Sequence, residues 1–244
     1  MGKILCMETA TGICSVAVAE EGRLMALMES SAKNLHASNL TIFVEDVLKS
    51  AGVVLTGLDA IAVSMGPGSY TGLRIGVATA KGFCYALDKP LIAVPTLQAM
   101  ALGMHLESPP YFHSGSALNQ EPEKWGYCPM IDARRLEVFC AIFDETLHEI
   151  AETRAEIIHE NSFRQWLLRH PVVFAGEGAE KCKPFLKKYQ NAVFLDHFQT
   201  SSKFMIPLAE EKFQSGAFEN PVYFEPFYLK DFVAGKPRVK GLES

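Results

Sequence analysis

The stretch Gly66–Gly76 has the residue types and the spacing of an anion-binding turn. It follows an apolar run, Ala60–Met65, that predicts a buried strand, and it leads into a segment predicted to be helical as far as about Leu87. A strand, a glycine-rich turn and a helix leave free backbone N–H groups at a helix N-terminus, where an anion can bind. The spacing matches neither common phosphate fingerprint, because Thr71 stands where a dinucleotide motif needs its third glycine and Leu73 where a P-loop needs lysine.

Small residues recur every four positions in this predicted helix, at Gly72, Gly76, Ala80 and Cys84. Glycine inside a helix costs up to about 1 kcal/mol relative to alanine, so two glycines on one face indicate that another backbone comes very close. One interpretation is packing against the chain's own sheet, which spacing alone favours because tertiary packing is the commoner reason for such a glycine. The other is a helix–helix contact with a partner protein.

Other candidate groups carry weaker signals. The seven histidines are isolated and form no His-x-x-x-His pair, so no metal site is predicted. Gly176-Glu-Gly178 follows a predicted strand and either approaches a nucleotide ring or simply turns the chain. Asp132-Ala-Arg134 ends another strand and either orients a ligand or forms an internal ion pair.

The six cysteines are scattered without a Cys-x-x-Cys pair, and several fall in apolar strands. They are therefore predicted to be small buried residues in a reducing compartment, which favours a cytoplasmic protein. A Cys–His nucleophile pair stays open as a hypothesis, because such partners meet only in space.

The elements that must position these residues alternate between strands and helices. Three short strands precede an amphipathic helix, whose apolar residues recur at helical spacing from Leu40, and the first half sums to βββ-α-β-α-β-α. The second half repeats this α/β pattern in shorter form. We therefore predict an N-terminal lobe at residues 1–105, a polar loop or linker at 106–126, and a smaller C-terminal lobe with a tail at 127–244.

The composition is that of an ordinary globular protein. The 244 residues are 48% hydrophobic and 21% charged, and the net charge is −5. An acidic balance opposes free-standing nucleic-acid binding, for which a basic stripe is expected. No apolar run reaches the roughly 18 residues that span a bilayer, so no membrane association is predicted.

Taken together, five segments resemble the TsaB (YeaZ) family: Ile4–Thr11, Gly66–Gly76, Ala93–Ala99, Met130–Arg134 and Pro226–Lys230. The likeness spans nearly the whole chain and is strongest over residues 1–105. Members of this bacterial family are required for the threonylcarbamoyladenosine modification of tRNA at position 37. The resemblance implies an actin-like ATPase (ASKHA) fold, with two ribonuclease-H-like lobes built on mixed sheets.

The resemblance also implies a non-catalytic subunit without a metal or cofactor of its own. In the related catalytic subunit, TsaD, a His-x-x-x-His metal motif occupies the positions that here hold Thr96 and Met100, and neither side chain replaces imidazole as a ligand. The first phosphate loop of actin-like kinases has an aspartate and a glycine where this chain has Glu8 and Ala10. A Cβ at Ala10 obstructs close phosphate approach.

In that family the protein binds and activates a TsaD-type catalytic subunit, helps recruit a TsaE-type ATPase, and contacts tRNA only through the complex. The implied partner-binding residues lie on the first two helices, where a close helix crossing forms: His36, Leu40, Gly72, Arg74, Gly76 and Ala80. Nucleotide contacts, formed only in the complex, are expected at Gly68, Gly176 and Gly178. The alternatives are a glycoprotease-like (M22) peptidase or ATP-dependent enzyme acting alone, and a homodimeric scaffold that uses the same helices.

Overall fold

The computed structural model describes residues 2–31, 36–108 and 125–230, with side chains of the first helix described from Leu40 onward. It contains two five-stranded mixed sheets. The first half of the chain forms, in order, β1 (Lys3–Glu8), β2 (Cys14–Glu20), β3 (Arg23–Ser30), α1 (His36–Ala51), β4 (Ala60–Gly66), α2 (Tyr70–Leu87), β5 (Leu91–Pro95) and α3 (Thr96–Glu107).

The first sheet has the strand order β3-β2-β1-β4-β5. Strands β1, β4 and β5 run parallel, whereas β2 is antiparallel to both of its neighbours. Successive side chains of a strand point to opposite faces. Leu5 and Met7 accordingly pack under α1 and α2, while Ile4 and Cys6 enter the core on the other face.

The second half repeats this arrangement. Its elements are β6 (Gly126–Asp132), β7 (Glu137–Phe143), β8 (Glu149–Ile157), α4 (Arg164–Leu167), β9 (Val172–Ala175), α5 (Lys183–Leu186), β10 (Ala192–Phe194) and α6 (Ile206–Ser215). Taken from the β8 edge, the order is β8-β7-β6-β9-β10, with the same strand directions as in the first sheet. The implied actin-like fold of two related lobes is therefore confirmed.

Two helices pack on the sheet of the opposite half. Helix α3 follows the first sheet, yet its Leu97 and Met104 pack against Tyr127 of the second. Helix α6 follows the second sheet, yet its Ile206 and Ala209 cover the free face of the first. A linear division of the chain at residues 105 and 127 does not describe this packing, because each lobe needs a helix from the other half.

The segment after Gly178 has little regular helix. It forms a 3-10 turn, Glu180–Cys182, followed by the single turn of α5. Much of the predicted linker lies outside the described residues. Helix α3 continues to Glu107, and β6 begins at Gly126. Among the described segments, no helix combines the length and apolar composition needed to cross a membrane.

Candidate functional site

The turn between β4 and α2 is filled by other parts of the chain. Gly66 has a φ of 110°, which favours glycine, and a Cβ there would lie 2.6 Å from the carbonyl oxygen of Phe227. The Phe227 N–H donates to the Met65 carbonyl at 2.7 Å, so the segment that ends at Lys230 lies across the turn. Gly66 is therefore needed for a close approach within the chain.

The predicted anion site at the start of α2 is satisfied internally. The Ser69 N–H donates to the Ala10 carbonyl at 2.6 Å, and the Ser69 hydroxyl caps the helix by accepting from the Gly72 N–H. A Cβ at Gly68 would lie 2.4 Å from the Ala10 oxygen. The close neighbour of Gly68 is thus the loop after β1, and its expected nucleotide contact within the complex stays a prediction.

The small-residue stripe of α2 packs against the chain's own first lobe. A Cβ at Gly72 would lie 2.0 Å from the Thr9 carbonyl oxygen, and one at Gly76 would lie 2.2 Å from Thr9 Oγ1. The Thr9 hydroxyl donates to the Gly72 carbonyl at 2.8 Å. Ala80 and Leu40 are buried in the same core. Gly72, Gly76, Ala80 and Leu40 are therefore not surface residues, and their assignment to a partner contact is wrong for the chain as it is folded here.

The opposite face of α2 is exposed and partly apolar. It presents Arg74, Ala78, Gly82 and Tyr85, and nothing lies within 4 Å of a Cβ built at Gly82. Tyr85 is 92% exposed. The Arg74 guanidinium lies over the Tyr70 ring, 5.5 Å from its centroid. Of the predicted partner-binding residues, Arg74 thus lies on this face, and His36 begins α1.

Helix α1 packs beside α2 and extends this surface. Its Ile42 is 51% exposed, whereas Val44 and Val47 on the inner side are buried. We refer to the exposed residues Ile42, Arg74, Ala78, Gly82 and Tyr85 as the α1/α2 face.

Gly176 and Gly178 bring a turn of the second lobe against strand β6. Gly176 has a φ of 100°, and a Cβ there would lie 2.5 Å from the Met130 carbonyl oxygen. A Cβ at Gly178 would lie 2.9 Å from Val138 Cγ1, and the Gly178 N–H donates to the Met130 carbonyl at 3.0 Å. The two glycines therefore serve internal packing, and their expected nucleotide contacts within the complex stay a prediction.

Between these glycines, Glu177 reaches the first lobe. A Cβ built at Gly12, in the loop between β1 and β2, would lie 3.3 Å from Glu177 Oε2, so the carboxylate lies against this loop. Burial raises the pKa of the Glu177 carboxyl above its usual value, and the Gly12 N–H opposes part of that rise. The loop that resembles a phosphate loop thus lies next to a carboxylate of its own chain. Sequence reasoning missed this contact, whose one signal was an acidic residue between two glycines after a strand.

Glu8 lies in the same region with its side chain fully buried. One carboxyl oxygen accepts from the Ala10 N–H at 2.5 Å, while Oε2 has no hydrogen-bond partner. Burial raises the pKa of Glu8 to about 7. The Glu8 carboxyl is therefore an internal group of the loop and does not face an open phosphate site.

Thr96 and Met100 have structural roles. The Thr96 hydroxyl accepts from the Gly66 N–H at 3.1 Å, and the Met100 methyl lies against Gly176. A search of the described residues finds no group of three His, Cys, Asp or Glu side chains placed to hold a metal ion.

The cysteines are buried, and burial disfavours ionisation of their thiol groups. All six are free thiols in the interior, which confirms the prediction that they are small buried residues. Burial raises the pKa of Cys6 to about 12 and of Cys14 and Cys84 to about 11. Because the thiolate is the nucleophilic form, these three are poor nucleophiles at neutral pH.

The predicted Asp132-Ala-Arg134 site is an internal ion pair at a turn. Asp132 Oδ1 accepts from the Arg134 N–H at 2.7 Å and pairs with the Lys181 ammonium at 2.5 Å. The carboxylate is thus occupied by the chain itself.

One cavity was not anticipated from the sequence. It measures about 500 Å³ and opens where the carboxyl ends of β4 and β5 meet the second sheet. Its lining includes Met65, Pro95, Leu97, Phe143 and Phe227. No local motif marks these apolar residues, which come together only through the tertiary fold.

Comparisons with known proteins agree with this architecture. The family model described as TsaD, tRNA N6-adenosine threonylcarbamoyltransferase, matches residues 29–234. The tRNA threonylcarbamoyladenosine biosynthesis protein TsaB of Escherichia coli is 32% identical over 243 residues, covering 96% of this chain and 97% of that protein. A tRNA N6-adenosine threonylcarbamoyltransferase of Sphingopyxis alaskensis is 44% identical over 78 residues, which are 32% of this chain and 23% of that enzyme.

A solved structure matches along nearly the whole chain. It is the crystal structure of an uncharacterized protein from Pseudomonas aeruginosa with similarity to peptidase YEAZ, and it superimposes with a TM-score of 0.75. The match covers 94% of this chain and all of that one, at 25% identity. With a relative matched along nearly its full length and a family model spanning both lobes, the chain belongs to the TsaB (YeaZ) family.

Proposed function

We propose that this protein is a non-catalytic cytoplasmic subunit of the machinery that makes threonylcarbamoyladenosine at position 37 of tRNA. It binds and activates a TsaD-type catalytic subunit and helps recruit a TsaE-type ATPase. The full-length relative in Escherichia coli, named for this biosynthesis, supports the proposal. The shorter matches to threonylcarbamoyltransferases support a catalytic partner of related fold.

The observation that carries the proposal is the α1/α2 face. Ala78 and Gly82 sit one helical turn apart on the exposed side of α2, and small side chains let a second helix approach closely. Tyr85, one turn further on, has the residue type that often anchors protein interfaces. An interface centred here would bury on the order of 1,200–2,000 Å² in total.

The interior of the phosphate-loop region supports a non-catalytic role. The Glu177 carboxylate lies against Gly12, and the Ala10 carbonyl accepts from the Ser69 N–H at the start of α2. A nucleotide phosphate would have to displace these internal contacts and would meet further negative charge.

The proposal is tested by binding to a purified TsaD-type subunit. Tyr85→Ala should weaken the complex by about 30-fold, the consequence of losing roughly 2 kcal/mol at an interface anchor. Ala78→Glu places an unpaired charge in the same contact and should abolish binding. Leu168→Glu is the matched control, because Leu168 is 65% exposed on the second lobe. Wild-type affinity in both α2 variants, measured by titration calorimetry, would refute the interface.

The homodimer hypothesis uses the same face, because one self-complementary surface can pair two copies. Light scattering separates the two cases. A dimer that dissociates when the catalytic subunit is added supports a shared face, whereas a dimer that persists in the complex places self-association elsewhere.

The alternative is an enzyme acting alone, either a glycoprotease-like peptidase or an ATP-dependent enzyme. It requires ATP with magnesium, or a divalent metal, to bind the isolated chain tightly. Micromolar ATP affinity in calorimetry would favour this alternative over the non-catalytic subunit.

A further inference from the structure

The hairpin between β6 and β7 ends in an unusual pair of residues. Arg134 and Arg135 both have positive φ, of 70° and 47°. The hairpin is closed by the Ala133 N–H donating to the Glu137 carbonyl at 3.1 Å. A second hydrogen bond runs from the Glu137 N–H to the Arg134 carbonyl at 3.2 Å, so the loop has three residues, Arg134, Arg135 and Leu136. Positive φ in tight turns is normally supplied by Gly, Asn or Asp.

Arginine has no conformational advantage at either position. Its Cβ disfavours the left-handed region, which glycine enters freely and asparagine tolerates. Strained residues of this kind persist where the surrounding structure enforces them, and they cluster at functional sites. The backbone conformation of the turn therefore does not account for two arginines here, and their exposed side chains are the feature available to a ligand.

The acidic side chains next to the turn pair with lysines, which leaves both arginines free to bind a ligand. Asp132 is paired with Lys181, and Glu137 is paired with Lys230. Within the described parts of the chain, neither Arg134 nor Arg135 has an ion-pair partner, and both are exposed. Asp132 and Glu137 are paired with lysines, and Glu177 also lies near Asp132 and Lys181. The basic side chains of Arg134, Arg135, Lys181 and Lys230 outnumber these three carboxyl groups, so the turn presents net positive charge.

We propose that the Arg134–Arg135 turn binds the phosphodiester backbone of RNA, which under the proposed function is tRNA held by the assembled complex. Guanidinium groups match phosphate oxygens with two parallel hydrogen bonds, a geometry that lysine cannot supply. The two arginines lie at an exposed hairpin tip, where they are accessible to the regularly spaced phosphates of an RNA backbone. A local basic turn also explains how a chain of net charge −5 contacts RNA within a complex while binding it poorly alone.

The test replaces the arginines with the residues that the turn prefers. Arg134→Asn with Arg135→Gly removes both charges and suits the backbone, so the melting temperature should stay equal or rise. Binding of tRNA to the complex with the catalytic subunit should weaken at least about tenfold at 0.1 M salt. The slope of log K against log salt should become shallower by about 1.5, as expected for two lost phosphate contacts.

The matched control is Arg164→Gln with Arg169→Gln, two exposed arginines elsewhere on the second lobe. It should change neither the affinity nor the slope. Unchanged tRNA affinity and slope in the Asn-Gly variant would overturn the inference, as would a clear drop in its melting temperature. Loss of polyglutamate binding without loss of RNA binding would assign the turn to an acidic protein instead.

The design separates this inference from the proposed function. If the wild-type chain fails to bind the catalytic subunit, the proposed function fails, and RNA binding is then measured on the isolated chain at low salt. A weaker affinity of the Asn-Gly variant there still supports the turn, and equal affinities overturn it.

Discussion

Glu8 shows how far burial changes the chemistry of one side chain in this fold. Its carboxyl is fully buried, and the Ala10 and Thr9 N–H groups and the Ser64 hydroxyl favour its charged form. Burial nevertheless dominates and raises the pKa from 4.5 to about 7. Near neutral pH the group is therefore poised between its neutral and charged forms.

This shift predicts a pH-dependent stability. The folded state holds the Glu8 proton more tightly than the unfolded chain, so stability is lost as pH rises from about 4.5 to 7 and stays lost above that. The difference is on the order of 3 kcal/mol. Glu8→Gln cannot titrate, so its melting temperature should fall less than that of the wild type between pH 5 and pH 8. If the melting temperatures of wild type and Glu8→Gln depend on pH in the same way, the raised pKa of Glu8 is contradicted. Glu45→Gln, on an exposed part of α1, is the control.

At the scale of elements, helix α2 uses its two faces differently. Gly72 and Gly76 allow the helix to lie directly on Thr9, whereas Gly82 faces open space. The glycines of this helix therefore serve two different contacts. Those on the inner face allow close packing within the chain, and under the proposed function Gly82 on the outer face allows close approach of a partner helix.

Alanine substitutions at Gly76 and Gly82 separate these roles. Gly76→Ala places a methyl group 2.2 Å from Thr9 Oγ1 and should destabilise the protein by roughly 1–3 kcal/mol, as overpacking does. Gly82→Ala meets nothing within 4 Å and should stabilise the helix by up to about 1 kcal/mol. Urea denaturation of both variants measures the difference, and equal effects would show that the inner face is not tightly packed.

The same helix shows what the sequence could predict. The strand–turn–helix order and the four-residue spacing of small side chains were visible, and both are confirmed. The sequence did not show which backbone packs against the small-residue stripe of α2. Thr9 is more than sixty residues away from Gly72 and contacts it only because β1 pairs with β4. Strand β8 was missed because it is an edge strand with partly exposed charged residues, which weakens the apolar pattern.

At the scale of the whole molecule, a second and shorter α/β half was predictable, whereas its full strand order and the exchange of helices were not. The structure shows that both halves have the same strand order, although β8 was not visible in the sequence. Helices α3 and α6 both have apolar residues that fit either sheet, so local sequence does not determine which sheet each one covers. The close approach of Glu177 to Gly12 and the contact between the Ser15 and Ser202 hydroxyls, at 2.7 Å, likewise join residues far apart in the chain.

This exchange predicts that the two lobes unfold together. Removing α6 exposes one face of the first sheet, and removing α3 exposes one face of the second, so neither half keeps its core without the other. Calorimetry should record one transition. Leu58→Ala in the first lobe and Leu186→Ala in the second each truncate a fully buried leucine and cost about 2–5 kcal/mol. Each should lower that single transition by roughly 5–15 °C. Two transitions, each shifted by only one of the variants, would instead mean that the lobes are independent and that the exchanged helices contribute little to either core.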